Sequence, residues 1–200
     1  MEESFDLQHI QFPNKLNVTD QEIDISFLTE SQQEFYLNLF QEIVVMYSAK
    51  KKPRVLVGFA GPTGSGKSVI AALFQQFSKQ ISLPLRFSVL GIDAFHYPNE
   101  YLELHTDTGG TKLRGVKGRY YTYDTAKLVS ILKQFVAGEK VSLPSYSRIT
   151  HDPIENVECI AEEKSLLLVE GLWLLFDKVG WEEIYSLLDY SILLMLIKMR

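Results

Sequence analysis

Two hundred residues, 46% of them apolar, suffice for one α/β domain with a sizeable core and fall short of two. Lys and Arg number 20 against 25 Asp and Glu, a formal charge of −5, so neither nucleic acid nor an anionic membrane is an expected partner. A single cysteine, Cys159, excludes an intramolecular disulfide or a cysteine-based zinc site, and no basic, apolar leader follows Met1-Glu2-Glu3, so the expected location is the cytoplasm.

The first thirty residues show no clear period, and Phe12-Pro13-Asn14 reads as a turn, so the expectation is an irregular arm. Ser31 with Glu34 fits a capping box opening a helix of about fifteen residues, in which Phe35, Leu39, Ile43 and Met46 recur at helical spacing. It should end at Lys50-Lys51-Lys52-Pro53, whose charges read as a solvated helix end favoured by the helix dipole. On this reading residues 1–52 are an arm and helix and residues 53–200 form the functional domain.

Val55 to Ala60 is a short apolar run with the look of a buried strand, and Ser68 to Lys79 has helical spacing. Between them Gly61-Pro62-Thr63-Gly64-Ser65-Gly66-Lys67-Ser68 fits the phosphate-binding pattern of two glycines followed by Lys and Ser. Without Cβ atoms in the way, successive N–H groups can turn toward one point, and the helix start adds partial positive charge, a combination suited to a polyphosphate. Gly61 through Ser68, with Val69, are therefore the candidate nucleotide contacts; Lys67 would reach the β/γ-phosphates and the Ser68 hydroxyl would hold Mg²⁺.

Beyond Pro84, Leu85 to Leu90 is a second strand, ending at Gly91-Ile92-Asp93. Strand, helix and strand at this spacing imply a right-handed crossover with parallel pairing, which gathers ligands at the carboxyl ends of the strands. Ala94 to Tyr123 reads as a long loop with a short helix near Asn99–Leu104, and loops of this length are often functional. Asp124 should cap a helix through Leu128, Ile131, Leu132 and Phe135, closed by Gly138. Pro144 forbids helix in Val141 to Arg148, which reads as extended. Ser165 to Val169 reads as a strand ending at Glu170-Gly171, which puts a second acid at a strand's carboxyl end; the apolar runs Leu166–Val169 with Leu172–Phe176, and Ile192–Ile197, read as buried strands, and Tyr190 to Ile197 follows a helix over Trp181–Leu188. His151-Asp152 resembles a catalytic pair only on paper, since adjacent residues rarely face one another.

In order, the glycine loop, Asp93-Ala94-Phe95-His96-Tyr97-Pro98-Asn99-Glu100, Lys117-Gly118 with Tyr123-Asp124, Leu143-Pro144-Ser145-Tyr146-Ser147-Arg148 and Val169-Glu170-Gly171-Leu172 resemble the phosphoribulokinase/uridine kinase superfamily, nearest its type I pantothenate kinase-like branch. The likeness covers about residues 55–177. It implies an α/β P-loop NTPase fold, a three-layer sandwich with a mainly parallel sheet flanked by helices. It also implies an enzyme that uses ATP and Mg²⁺ to move the γ-phosphate onto the alcohol group of a small-molecule acceptor, a sugar, nucleoside, glycerate or pantothenate-like metabolite. Lys67, Asp93 and Glu170 would then be catalytic, Asp93 as base or hydroxyl ligand, with Ser68, Glu170 and Asp93 around the metal.

His96, Lys117, Tyr146 and Arg148 become candidate acceptor contacts, although Arg148 stands where pantothenate kinases carry histidine. Lys112, Arg114, Lys117 and Arg119 form a basic cluster that either an anionic ligand or a solvated loop would explain. Family members continue past the last strand into an arginine-bearing lid; the sequence stops at Lys198-Met199-Arg200, so a fragment or a shortened member is expected, with Arg200 at the start of any lid. A nucleotide-binding regulator without metabolite phosphorylation and a P-loop hydrolase remain alternatives. A homodimer covered by the aromatic segments at Tyr120-Tyr121 and Trp173 is also open.

Overall fold

A computed structural model describes residues 9–81, 83–178 and 180–195. Where an irregular arm is expected, the chain opens on an antiparallel hairpin, β1 (Lys15–Val18) and β2 (Gln21–Asp24), joined by Thr19-Asp20. Leu16 and Val18 point inward and Lys15 and Asn17 outward, the period of two that a half-buried strand requires.

Helix α1 (Glu30–Lys50) starts earlier and runs longer than the sequence suggests. Its cap is Thr29 rather than Ser31: the Thr29 hydroxyl accepts from Gln32 N, and Gln32 Oε1 accepts from Thr29 N, a complete capping box one position pair upstream. With no Pro or Gly before Pro53, nothing stops the helix until Lys51 turns left-handed at φ 51°. Phe40, Ile43 and Val44 of α1 are buried in one core with Val55, Val57 and Phe59 of the next strand, so the helix packs into the same core as the glycine-loop region.

Strand β3 (Arg54–Ala60) leads through the glycine loop into α2 (Lys67–Gln80) and then β4 (Arg86–Gly91). A 3-10 turn over Ile92–Phe95 and the short helix α3 (Asn99–Leu104) open the long loop, which has two more 3-10 turns, Leu113–Val116 and Tyr120–Thr122. Asp124 caps α4 (Thr125–Val136) by accepting from Lys127 N. Strand β5 (Val141–Ser147) pairs antiparallel with β6 (Asp152–Ile160), an element absent from the sequence expectations. Strand β7 (Ser165–Gly171), helix α5 (Glu182–Leu187) and β8 (Tyr190–Leu193) complete the fold.

The central sheet is four-stranded and wholly parallel, in the order β4-β7-β3-β8. β3 and β4 are parallel, as expected, but are not neighbours, because β7 lies between them and pairs with both. Every residue of β3 and of β7 is buried, the pattern of strands covered on both faces. Val55, Val57, Phe59, Leu166 and Leu168 face α1, α2 and the hairpin, where Phe40 packs 5.6–5.7 Å from Phe74, Phe77 and Phe87. Leu56, Ala60, Leu167 and Val169 face α4, β5 and α5. Two expectations fail on the exposed side. Leu172–Phe176 forms turns after β7, with Leu172 and Leu175 exposed, and β8 is a half-exposed edge strand ending at Leu193. Leu194 and Met195 follow it outside any strand, and residues 196–200, including Lys198-Met199-Arg200, lie outside the described residues.

At the opposite end of the sheet from the glycine loop, the buried Arg54 guanidinium has no carboxylate partner among the described residues. It donates instead to the backbone oxygens of Phe135 (3.2 Å), Glu139 and Glu162 (3.1 Å), tying the end of α4 and the turn before β7 to the base of β3. At the other end the packing is tight: a Cβ on Gly171 would meet the buried Ile92 side chain at 2.4 Å. We expect Gly171→Ala to cost about 1–3 kcal/mol by overpacking, read as a lower urea midpoint with an unchanged m-value.

Candidate active site

Between β3 and α2 the backbone turns through Gly64 and Gly66, at φ +78° and +85°, conformations that a side chain would strain. Gly61 is needed for space instead, since a Cβ there would meet the Leu194 carbonyl oxygen at 2.8 Å and Ser65 Oγ at 3.1 Å. No side chain caps the start of α2, so its first N–H groups stay open toward the loop. Lys67 lies folded back and buried, its Nζ donating to Pro62 O at 2.8 Å. Burial lowers its pKa, while Glu170 and Asp93 pull the other way.

The insertion of β7 brings Glu170 beside this loop. Ser68 Oγ donates to Glu170 Oε1 at 2.8 Å and accepts from Arg148 Nη2 at 3.2 Å. The carboxylate fits because its register partner on β4 is Gly91, where a Cβ would approach Oε1 to 3.0 Å. Burial pushes the Glu170 carboxyl up to about 7, with the Ser68 hydrogen bond, Lys67 and Arg148 opposing and Asp93 adding to the rise.

Asp93 follows β4 in the first 3-10 turn and remains 44% exposed toward the cleft. Tyr123 OH donates to Asp93 Oδ1 at 3.4 Å, and His96 Nε2 lies 3.7 Å from the same oxygen. The buried His96 ring stacks on Tyr123 at 3.8 Å. Its Nδ1 is 3.2 Å from the Thr122 carbonyl, which can only accept, so Nδ1 carries a proton. Burial lowers the His96 pKa and, together with Asp93, raises that of Tyr123; burial then Asp93 likewise pushes Tyr146 up to about 12.

Two spaces meet here. A cleft of about 330 Å³ is lined by Ser68, Asp93, Tyr146, Arg148 and Glu170, and extends along α2 past Gln75 to Lys79. A second, of about 290 Å³, lies between Gly64, Gly66, Lys67, Ser68 and Val69 and the hairpin residues Val18, Gln21 and Ile23. Ser68 and Arg148 border both. Arg148 Nε and Ser65 Oγ are buried without a hydrogen-bond partner among the described residues, and Arg148 borders both spaces.

Lys67, Ser68, Asp93, Glu170, Tyr146 and Arg148 therefore converge, with His96 behind Asp93. Lys117 does not line the cleft: its Nζ donates to Asn99 Oδ1 (2.8 Å) and His151 O (2.6 Å) and sits 5.4 Å over the Tyr146 ring. Arg114 donates to the same Asn99 oxygen at 2.6 Å, so these two cations of the basic cluster hold α3 against the 150–152 segment. His151 and Asp152 serve that junction too, Asp152 accepting from Asn99 N at 2.8 Å. Tyr120, Trp173 and Phe176 pack on one another within the chain. The sequence reading missed the hairpin residues that wall the second space, although the alternation of Leu16 and Val18 signals a strand there. As for metals, no cluster of three His, Cys, Asp or Glu occurs among the described residues, yet the hydroxyl of Ser68 with the carboxylates of Glu170 and Asp93 is a hard-oxygen set of the kind that binds Mg²⁺ together with phosphate oxygens.

A parallel sheet with a glycine loop at its switch edge and acids gathered beside it is the phosphate-handling arrangement of P-loop kinases. Residues 56–198 match the phosphoribulokinase/uridine kinase family, and the chain belongs to it. It is 30% identical to the uncharacterized protein YggC of Escherichia coli K12, over 89% of this chain and 71% of that one. Identity to the pantothenate kinase of Limosilactobacillus fermentum is 27%, over 78% of this chain but 50% of the relative. Among solved structures, the "putative fructose transport system kinase" of Silicibacter sp. TM1040 superposes with a TM-score of 0.63 at 28% identity, covering 78% of this chain and 72% of that one. No helix among the described residues is long and apolar enough to cross a membrane.

The raised Glu170 pKa has a stability consequence. Below its ordinary value of 4.5 the carboxyl is neutral folded or unfolded and costs nothing; as pH rises toward 7 only the unfolded chain ionises freely, so stability falls across that window and then levels off. In EDTA, the native chain should lose about 3 kcal/mol relative to Glu170→Gln between pH 4.5 and 8, measured by urea unfolding. Parallel pH profiles would contradict a buried, reluctantly ionised Glu170.

Proposed function

We propose that the protein is an ATP-dependent small-molecule kinase that transfers the γ-phosphate to a hydroxyl of a metabolite. The observation that carries the reading is that Ser68 and Arg148 are shared by the glycine-loop space and the acid-lined cleft, so a terminal phosphate in the first lies against an acceptor in the second. Relatives whose names specify pantothenate kinase support the reaction class. The acceptor itself is a free variable.

In this reading Gly61 to Val69 cradle the nucleotide phosphates, and Lys67 leaves the Pro62 carbonyl to meet them. Ser68, with Glu170 and Asp93, would hold Mg²⁺, which would supply positive charge to the phosphate oxygens of a bound nucleotide. Asp93, exposed to the cleft and hydrogen-bonded by Tyr123, takes the acceptor's hydroxyl proton as the new P–O bond forms and ADP leaves. Arg148 balances charge on the phosphoryl group in flight, and Tyr146 forms one wall of the acceptor space. His96, buried and stacked on Tyr123, backs Asp93 on the side away from the cleft.

The test is Mg·ATP turnover screened against pantothenate, nucleosides, sugars and glycerate. Acceptor-stimulated ADP release should appear with one class, and Asp93→Asn should lower kcat about 10²-fold or more while leaving ATP affinity little changed. ADP release that no acceptor stimulates would favour a hydrolase, and binding without turnover a regulatory role.

A further inference from the structure

The Thr19-Asp20 turn of the hairpin reaches a segment 127 residues away in the chain. Asp20 Oδ2 accepts from Ser147 Oγ at 2.5 Å and from Ile149 N at 3.3 Å, and Oδ1 accepts from Arg148 N at 2.9 Å. Ser147 Oγ in turn accepts from Thr150 N at 3.0 Å, so one carboxylate organises the whole turn after β5. The Ser147 hydroxyl foremost, with the backbone donors, holds the Asp20 carboxyl down at about 2, so the contact persists throughout the neutral range. Aiming that carboxylate strains the backbone: Thr19, β-branched, sits at φ 57°.

Arg148 is the residue this turn presents. No carboxylate pairs with its guanidinium among the described residues; Nη2 reaches Ser68 Oγ, and Nε is buried and unpartnered at the junction of the two spaces. Val18, Gln21 and Ile23, on either side of the Thr19-Asp20 turn, face Gly64, Gly66 and Lys67 across the second space. We infer that Asp20 is a positioning residue that sets the Arg148 guanidinium over the glycine loop, making the hairpin a wall of the nucleotide site that senses a terminal phosphate. The inference rests on the reading of Arg148 as the cation for the transferred group.

Equilibrium binding of Mg·ATP and of ADP to the full chain tests it without knowledge of the acceptor, using Asp20→Ala, Asp20→Glu, Asp20→Asn, Arg148→Ala and the Asp20→Ala/Arg148→Ala double variant. The native chain should prefer ATP. Asp20→Ala and Arg148→Ala should each reduce that preference about ten-fold, the double variant no further, and Asp20→Glu should restore part of it. A purely structural hairpin would lower the melting temperature of Asp20→Ala and leave the ATP-to-ADP ratio unchanged while Arg148→Ala shifts it; that outcome overturns the inference and spares the kinase reading. Additive losses in the double variant overturn it as well. If Arg148→Ala leaves the ratio unmoved, the assignment of Arg148 fails and this inference with it. Should Asp20→Ala not fold, Asp20→Asn, which keeps an acceptor oxygen but not the charge, carries the same comparison.

Discussion

Glu170 is a carboxylate placed where the sheet is otherwise sealed. It sits near the carboxyl end of β7, flanked by β3 and β4, and burial there makes ionisation unfavourable unless neighbours compensate. The surroundings are arranged around that demand. Gly91 leaves room for it, Ser68 donates to it, and Lys67 and Arg148 bring positive charge. The compensating groups come from three elements, so satisfying one carboxyl draws β4, α2 and the turn after β5 to a single point.

The sequence was most legible where the determinants are local. The glycine loop, the Asp124 cap, the position of α3 and the extents of β3, β4 and β7 follow from short patterns of spacing and turn chemistry. Strand order did not, because nothing within the β3-α2-β4 segment announces that a strand beginning only at Ser165 will enter between its two strands. The hairpin was legible in principle: Leu16 and Val18 alternate with polar neighbours, but each strand is only four residues long and the turn is Thr-Asp rather than a glycine pair. The capping box was placed at Ser31-Glu34 instead of Thr29-Gln32 because both pairs satisfy the spacing, and only the backbone geometry separates them.

Among the candidate site residues, acids and loop residues landed together while the basic cluster divided. Lys117 and Arg114 converge on one Asn99 oxygen, which no charge pattern foretells, because the partner is a neutral side chain brought in by α3. Arg148 faces the site for the opposite reason: its turn is held through Asp20 and Ser147, leaving the guanidinium to reach Ser68 beside Glu170. Asn99 and Asp20 thus fasten adjoining parts of one turn, between β5 and β6.

The place of β7 in the sheet also governs when the site can exist during synthesis. The glycine loop leaves the ribosome early, but among the described residues β3 pairs with β7 and β8 alone, made more than a hundred residues later. Until residue 171 has emerged, both edges of an entirely buried, apolar strand lack their hydrogen-bond partners. Assembly of this topology must therefore wait for long-range closure rather than proceed from the N-terminus inward.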